Sequence, residues 1–225
     1  EGLSKVYFNN EKIKLNELFE KYPDDLIGKK HFKKYGHNTQ FLLKFLDSAI
    51  RLHIQCHPTV SFAEKYLVSK SGKTEEYLIL SIREDVKEPY IYLGFQNPAD
   101  ISVFKKAVLE QDIKTILSCF EKIQIKQGDV FIVPGGLPHA IGEGVFMVEI
   151  MEPTDFAVRI EFERGGYVLP EESRFMGREI DFALSMFNFN KLSVEEIKKK
   201  YFLKNKIIKK YKDGSLLYSL IDKNA

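Results

Sequence analysis

Alternation of apolar and polar residues is the dominant pattern along the chain, and it predicts strands more often than helices. Short apolar runs bounded by turn residues are typical of strands buried in a sheet. We predict strands at 41–46, 52–57, 75–82, 90–95, 122–125, 130–134, 139–141, 145–151 and 215–221, with a further alternating segment at 158–163. The fold class is therefore expected to be mainly β.

Helical spacing is limited to segments between or outside these strands. Residues 11–19 are expected to form a strand that runs into a short helix, and Thr59 is a candidate cap for a helix over 59–67. Residues 100–120 predict a helical insertion between strands, and 167–183 a turn-rich segment followed by a helix. Ser193 and Glu196 have the spacing of a capping box for a helix over 193–201.

Length and charge limit the classes of protein to consider. A chain of 225 residues with 44% hydrophobic content can bury one sizeable barrel with appended helices, or two small domains. The 34 basic and 32 acidic residues give a net charge of +2, which argues against nucleic acid as a partner. The lysine-rich stretch at 198–210 is predicted to be a solvated helix face followed by a loop or strand.

Cysteine usage and hydropathy favour a cytoplasmic protein with no membrane association. Cys56 and Cys119 are too few for a disulfide framework, so both are predicted to be buried thiols in a reducing compartment. No apolar run approaches the roughly 18 residues of a membrane span, and no signal peptide is visible. The chain opens at Glu1 rather than at a methionine, which leaves open whether residues precede it.

The candidate chemistry lies in two segments, 52–58 and 128–139, and each of them places a histidine beside a turn. Strand geometry places Gln55 and His57 on one face and Ile54 and Cys56 on the other. In the second segment Pro134, Gly135 and Gly136 bend the chain so that His139 faces the same cavity.

Glu75 opens the strand after a polar loop and is the best acidic residue to complete a set of metal ligands, since Glu76 points to the opposite face. A lone histidine before a proline is more often a turn or core residue, so the prediction depends on the combination.

The second segment also resembles a known motif. Its string G-D-x(4)-P-x-G-x-x-H, from Gly128 to His139, is similar to the second motif of the cupin superfamily. That resemblance implies a cupin (jelly-roll) barrel, here with a helical insertion and peripheral helices. We expect a peripheral N-terminal segment at 1–40, the barrel with its metal site at 41–165, and a C-terminal extension of helix and strand at 166–225.

Four segments resemble the type I phosphomannose isomerase family more specifically. FLLKFLDSAIRLHIQCHP (41–58), GKTE (72–75), PGGLPHAIGEG (134–144) and the segment 149–159 occur in the order of that family's motifs. The resemblance covers roughly residues 41–165. It implies a zinc-dependent enzyme that interconverts mannose 6-phosphate and fructose 6-phosphate through a cis-enediol.

The resemblance also implies roles for individual residues. It makes Gln55, His57, Glu75 and His139 the metal ligands, Arg159 the active-site arginine, and Lys44 and Lys73 residues that line the sugar site. His53 stands where the family has a serine that helps to hold the substrate, and we assign it to substrate binding. A metal ion and positively charged side chains would stabilise the negative charge that develops in an aldose-ketose shift.

The residue that carries the proton is left open by the sequence. Regular alternation over 158–163 would put Glu161 and Glu163 on the face of Arg159, as candidate catalytic acids or bases beside Lys73. Paired surface carboxylates are the alternative reading. A non-catalytic, regulatory cupin that binds a metal and a sugar is the second hypothesis, and a metal-dependent oxygenase is a third. The identity of the metal ion, the exact sugar and the oligomeric state are not determined by the sequence.

Overall fold

The computed structural model describes residues 4–219 and divides the chain into two compact units, 1–42 and 43–225. The described elements of the first unit are β1 (Lys5–Phe8), β2 (Glu11–Lys14), α1 (Leu15–Lys21), a π-helical turn (Asp24–Gly28) and α2 (Lys29–Tyr35). Strands β1 and β2 form an antiparallel hairpin. The expected strand-to-helix transition at 11–19 is confirmed, whereas α2 was not predicted because its lysine-rich sequence has no regular apolar spacing.

The second unit contains most of the strands, the first of which begins one residue before it. They are β3 (Leu42–Ser48), β4 (Gln55–Cys56), β5 (Glu75–Ile82), β6 (Tyr90–Leu93), β7 (Ile123–Gln124), β8 (Val130–Val133), β9 (His139–Ile141), β10 (Val145–Met151), β11 (Val158–Arg159), β12 (Glu163–Arg164), β13 (Tyr167–Val168), β14 (Phe202–Leu203), β15 (Lys206–Lys210) and β16 (Leu216–Ser219). Its helices are α3 (Val60–Tyr66), α4 (Ile101–Glu110), α5 (Ile113–Ser118), α6 (Glu171–Arg174), α7 (Ile180–Leu184) and α8 (Val194–Tyr201).

Two five-stranded sheets form the centre of this unit. The first has the strand order β14-β8-β5-β10-β3, and the second has the order β11-β4-β9-β6-β7. Tyr77 and Met147 of the first sheet and Leu93 and Ile141 of the second sheet belong to one buried cluster. The inward faces of the two sheets therefore share a core, as in a sandwich or jelly roll, and the mainly β prediction is confirmed.

Helices cover the other face of the second sheet. Ile54 and Cys56 of the β4 segment and Tyr92 of β6 join a second buried cluster with Phe104 of α4 and Ile116 of α5. The alternation along β4 thus sends Ile54 and Cys56 towards the helices and leaves Gln55 and His57 facing the space between the sheets. The predicted helical insertion supplies this cover.

Several predicted boundaries are confirmed. The strands at 75–82 and 145–151 match β5 and β10, and α8 begins with the predicted capping box of Ser193 and Glu196. Cys56 and Cys119 are both buried free thiols. The predicted last strand is observed as β16, with residues 220–221 lying outside the described part of the chain. No helix within 4–219 has the length and apolar character that a bilayer crossing requires.

Two strand predictions were wrong. The strand at 52–57 is reduced to Gln55–Cys56, and the alternation predicted for 158–163 ends at Arg159. Ile160 and Glu161 are both buried although they are neighbours, which a regular strand with one buried face does not allow. The chain bends at 160–162, so Arg159, Glu161 and Glu163 do not share a face.

Two glycines allow the chain to pass close to the residue after His57. A Cβ atom at Gly72 would lie 2.6 Å from the carbonyl oxygen of Pro58, and a Cβ atom at Gly135 would overlap the same oxygen. Gly136 N–H also donates to His57 O at 2.7 Å, and Lys73 N–H donates to Pro58 O at 3.0 Å. The loops before β5 and before β9 are thus fixed to one point of the β4 loop.

Candidate metal centre

Strand pairing brings the four predicted ligands to one place between the sheets. Gln55 of β4 is the register partner of His139 of β9, and His57 follows two residues after Gln55 on the same face. Glu75 is the first residue of β5 in the opposite sheet. The close approach of Gly72 and Gly135 to Pro58 aligns the loops that carry Glu75 and His139 with the loop that carries His57.

Three of these side chains form a buried cluster. Their candidate ligand atoms, on His57, Glu75 and His139, all lie within 4.8 Å of one another. His57 Nε2 lies 3.0 Å from Glu75 Oε1, and His139 Nε2 lies 3.2 Å from Glu75 Oε2. Each of the three residues is only 1% exposed. Two imidazoles and a carboxylate that converge in this way are a donor set for a divalent first-row metal ion.

Main-chain carbonyl groups fix the orientation of both imidazoles. His57 Nδ1 lies 2.8 Å from Phe156 O, and His139 Nδ1 lies 3.0 Å from Leu137 O. Because a carbonyl oxygen only accepts hydrogen bonds, each Nδ1 carries a proton. In the neutral ring the lone pair is then on Nε2, which is the atom that faces Glu75. Metal-bound histidines are commonly oriented in this way.

Burial determines the charge of the cluster. Desolvation lowers the pKa of His57 to about 4, against the opposing effect of Glu75, so this imidazole is neutral at pH 7. Burial alone would raise the pKa of the Glu75 carboxyl, but its contacts with the two histidines hold that pKa well below its usual range. The pair therefore consists of a carboxylate and a neutral imidazole whose lone pair faces it.

The electrostatics of this arrangement fit a bound cation. Oε1 of Glu75 is buried and has no hydrogen-bond partner among the described residues. Lys73 is the nearest positive charge, with Nζ 3.1 Å from this oxygen and 3.4 Å from His57 Nε2. A buried carboxylate oxygen that faces an imidazole lone pair is costly in a dry interior unless a cation lies beside both atoms. A divalent ion among these atoms would satisfy both groups, so the residues present fit a metal site.

Gln55 lies at the border of the cluster. Its side-chain amide nitrogen is 3.3 Å from His139 Nε2, and the residue is half-buried. The oxygen and nitrogen of a carboxamide exchange places when the group rotates by half a turn, so Gln55 can present an oxygen at this position. It is therefore a candidate for the fourth protein ligand.

Tyr77 links the cluster to another buried carboxyl group. Its hydroxyl donates to Glu75 Oε2 at 2.6 Å and lies 2.9 Å from Glu149 Oε1. A phenol has one proton, so the second contact is satisfied when Glu149 is protonated and donates to the tyrosine oxygen. Burial and the neighbouring Glu75 raise the pKa of Glu149, which favours that state. Tyr77 thus orients the Glu75 carboxylate from behind.

Replacement of Tyr77 by Phe tests this orienting role. Tyr77→Phe removes the donor to Glu75 while it keeps the ring in the core, and we expect the affinity for a divalent metal ion to fall about tenfold. Competition against a chromophoric chelator measures that affinity. Tyr201→Phe, at a buried tyrosine of the same core, is the matched control and should leave metal affinity unchanged. Equal affinities of Tyr77→Phe and wild type would contradict the role.

The low pKa of His57 predicts an acid-sensitive metal-free protein. The unfolded chain takes up a proton at this residue near pH 6.5, whereas the folded chain does so only near pH 4, so protonation favours unfolding between these values. We expect the free energy of unfolding in excess chelator to fall by roughly 3 kcal/mol over this range from His57 alone. Denaturant titrations at a series of pH values measure it. His57→Gln should give a shallower decline, and an identical decline would refute the assignment.

Two further predicted residues lie in or beside this region. Lys44 Nζ is 3.8 Å from Glu149 Oε2 and 3.2 Å from Asp155 Oδ1, so this lysine reaches the carboxyl group that Tyr77 contacts. Arg159 is the register partner of Gln55 across β4 and β11 and is half-buried. Within residues 4–219 its guanidinium has no side-chain hydrogen bond or ion pair.

The remaining predicted residues are placed differently. Glu161 is buried in an ion pair with Arg51, and Arg51 also holds its pKa low although burial alone would raise it. Glu163 is exposed and lines a cavity of about 500 Å³ with residues such as Gln111 and Val168, and none of the metal cluster lines this cavity. His53 is half-buried and its Nε2 has no partner among the described residues.

Sequence reasoning missed Tyr77, Glu149, Asp155 and Arg51. Glu149 and Tyr77 are register partners across β10 and β5, so only knowledge of that strand pairing would have joined them. A weaker signal was present in the alternation itself, since Tyr77 shares the face of Glu75. Asp155 lies in the irregular segment before β11, where no periodic pattern applies.

Comparison with curated proteins identifies relatives of one kind. The chain is 27% identical to the mannose-6-phosphate isomerase of Streptococcus mutans over 69% of its length and 48% of the relative's length. It is 28% identical to the mannose-6-phosphate isomerase ManA of Bacillus subtilis over 56% of its length and 38% of the relative's length. The chain spans less than half of the length of the curated relatives it matches. No family model matches it.

Solved structures with the same fold carry the same name. The mannose 6-phosphate isomerase of Bacillus subtilis superimposes with a TM-score of 0.67 at 20% identity, covering 96% of this chain and 61% of that protein. A zinc-bound mannose 6-phosphate isomerase superimposes with a TM-score of 0.61 at 16% identity, covering 90% and 66%. Identities this low establish the shared fold alone. Together with the curated relatives, they confirm the resemblance to phosphomannose isomerases found in the motifs.

Proposed function

We propose that this chain is a zinc-dependent aldose-ketose isomerase that interconverts mannose 6-phosphate and fructose 6-phosphate through a cis-enediol. The observation that carries the proposal is the buried convergence of His57, Glu75 and His139, with both imidazole Nε2 atoms facing the carboxylate. The names of the curated relatives and the zinc in one solved structure of the same fold support it.

The proposed zinc ligands are His57, Glu75, His139 and Gln55. Zinc accepts nitrogen and oxygen donors without a redox change, which suits this set. Zinc bound there would act as a Lewis acid that favours negative charge on the sugar oxygens during proton transfer between C1 and C2. Lys73, whose ammonium group contacts Glu75 and His57, adds a positive charge at the same place.

The sugar phosphate is proposed to bind beside the zinc ligands. Lys44 and Asp155 offer a donor and acceptors for sugar hydroxyl groups at the Glu149 side of the cluster. Arg159, a half-buried residue that pairs with Gln55 across the strands, offers a guanidinium group, which suits an anionic oxygen or a phosphate. His53 is retained as a candidate substrate contact. We assign no proton transfer to Glu163, because it lines a separate cavity.

An isomerase assay on the purified chain tests the proposal directly. The zinc-loaded protein is expected to form fructose 6-phosphate from mannose 6-phosphate, chelator should abolish turnover, and added zinc should restore it. Glucose 6-phosphate, which differs from mannose 6-phosphate at C2, serves as the control substrate. No turnover by protein shown to contain one zinc ion per chain would refute the proposal. Binding of zinc and sugar phosphate without turnover would support the non-catalytic regulatory cupin instead.

Two organisational expectations belong to the same proposal. Residues 41–165 would form the catalytic barrel, with 1–40 and 166–225 as peripheral segments, and the protein would act in the cytoplasm, where sugar phosphates occur and thiols stay reduced. The two buried free cysteines are consistent with that compartment.

A further inference from the structure

Glu161 is a buried carboxylate outside the metal cluster that accepts three hydrogen bonds. Its carboxylate accepts hydrogen bonds from Arg51 Nη1 at 2.7 Å, from Arg51 Nη2 at 2.5 Å and from the backbone N–H of Ile54 at 2.7 Å. Glu161 is 1% exposed and Arg51 is 6% exposed. Such a bidentate pair is directional, so it fixes the relative position of the two segments that carry it.

The segment with Arg51 and Ile54 leads into Gln55. The segment with Glu161 follows Arg159. Strand β11 contains only two residues and lies at the edge of its sheet, so its pairing with β4 supplies few hydrogen bonds. Ile160 N–H donates to Ile54 O at 3.1 Å, after which the chain bends away. The Glu161 carboxylate then accepts from Ile54 N–H, where a longer strand would have offered a backbone carbonyl. The Glu161 side chain thereby adds one hydrogen bond to the short pairing of β4 with β11.

Glu161 also compensates the positive charges of Arg51 and Arg164. Arg164 Nη1 lies 3.6 Å from Glu161 Oε1, and Arg164 Nε–H donates to Arg51 O at 2.7 Å. Within the described part of the chain, Glu161 is the only carboxylate that forms an ion pair with either arginine. Without it, the guanidinium groups of Arg51 and Arg164 would lie close together with no counter-charge, and their repulsion would displace the segment that directly follows Arg159.

We propose that Glu161 is a positioning residue that, through Arg51 and Ile54, holds the Arg159 strand against the Gln55 strand. The inference rests on the proposed function, in which Arg159 acts on the sugar phosphate. Glu161 itself exchanges no proton with the substrate, because its oxygens are occupied by Arg51 and Ile54. This role replaces the acid or base role that the sequence pattern suggested.

A paired substitution separates positioning from stability. Arg51→Met together with Glu161→Met removes both buried charges at similar volume, a change that stable cores tolerate better than loss of one partner. We expect this variant to fold and to bind zinc within about threefold of wild type, while kcat/KM falls about a hundredfold through misplacement of Arg159. Amide hydrogen exchange at residues 158–161 should become at least about tenfold faster. Glu161→Gln keeps an acceptor for Ile54 N–H, so kcat/KM and the exchange rates at 158–161 should change less in this variant than in the double variant.

Ile116→Val is the control for a general loss of stability. This substitution thins the helical cover of the second sheet and should leave both kcat/KM and local exchange unchanged. The proposal is overturned if the folded, zinc-loaded double variant matches wild type in both readouts. If the double variant fails to fold, unchanged exchange at 158–161 in Glu161→Gln overturns it as well. An inactive wild-type protein would count against the proposed function, while the exchange comparison would still decide whether Glu161 holds the strand.

Discussion

Glu75→Gln is expected to remove zinc from the protein and to reduce isomerase activity about a thousandfold, the equivalent of about 4 kcal/mol. A neutral amide keeps the shape of the side chain and an oxygen for the Tyr77 hydroxyl. It loses the negative charge that, together with the two imidazole lone pairs, would hold a divalent ion. Elemental analysis of protein purified without added metal, and turnover after zinc addition, measure the two effects.

The next residue of the strand supplies a matched control. Glu76 is half-buried and lies on the opposite face of β5 from Glu75. Glu76→Gln should keep one zinc ion per chain and wild-type turnover. The metal assignment would be contradicted if Glu75→Gln retained stoichiometric zinc, or if both variants lost activity to the same extent.

Arg159→Met is expected to lower kcat by about a hundredfold or more while the zinc content stays at one ion per chain. The reason is that Arg159 is half-buried, pairs with Gln55 across two strands and makes no ion pair with the described protein groups, so its charge is available to the substrate. Steady-state kinetics with mannose 6-phosphate, together with zinc analysis of the same sample, measure the separation of the two effects.

Arg159→Lys refines the same prediction. A lysine keeps the charge but loses the planar, two-pronged donor group, so activity should recover only in part if Arg159 binds an oxyanion or phosphate through two nitrogens. Arg178→Met, at a surface arginine that lies over Phe182, is the control and should retain full activity. A value of kcat/KM within threefold of wild type for Arg159→Met would exclude a role in the reaction.

Much of the candidate site was predictable because it depends on local rules. Strand periodicity alone places Gln55 and His57 on one face, and it separates Glu75 from Glu76. The turn at 134–136 predicted that the chain bends to bring His139 to the cavity, and the structure adds that this turn passes close to the backbone of Pro58. The order of the motifs then suggested which distant segments meet.

The rest depends on interactions between segments that are far apart in sequence. The contact of Tyr77 with Glu149 requires the register of β5 against β10, which no local pattern specifies. The prediction that Glu161 shares a face with Arg159 was wrong because a period of two was extended over a segment in which the chain bends after Arg159. A buried salt bridge with Arg51 compensates for that bend, and a salt bridge between distant residues leaves no periodic signal.

The two imidazoles are oriented by hydrogen bonds to the main-chain carbonyl groups of Phe156 and Leu137, and these hydrogen bonds do not involve a metal ion. The two imidazole rings should therefore keep their orientation when no metal ion is bound. The rate at which the metal-free protein binds a metal ion would then depend on how quickly the ion loses its bound water molecules, and no refolding of the chain would be needed.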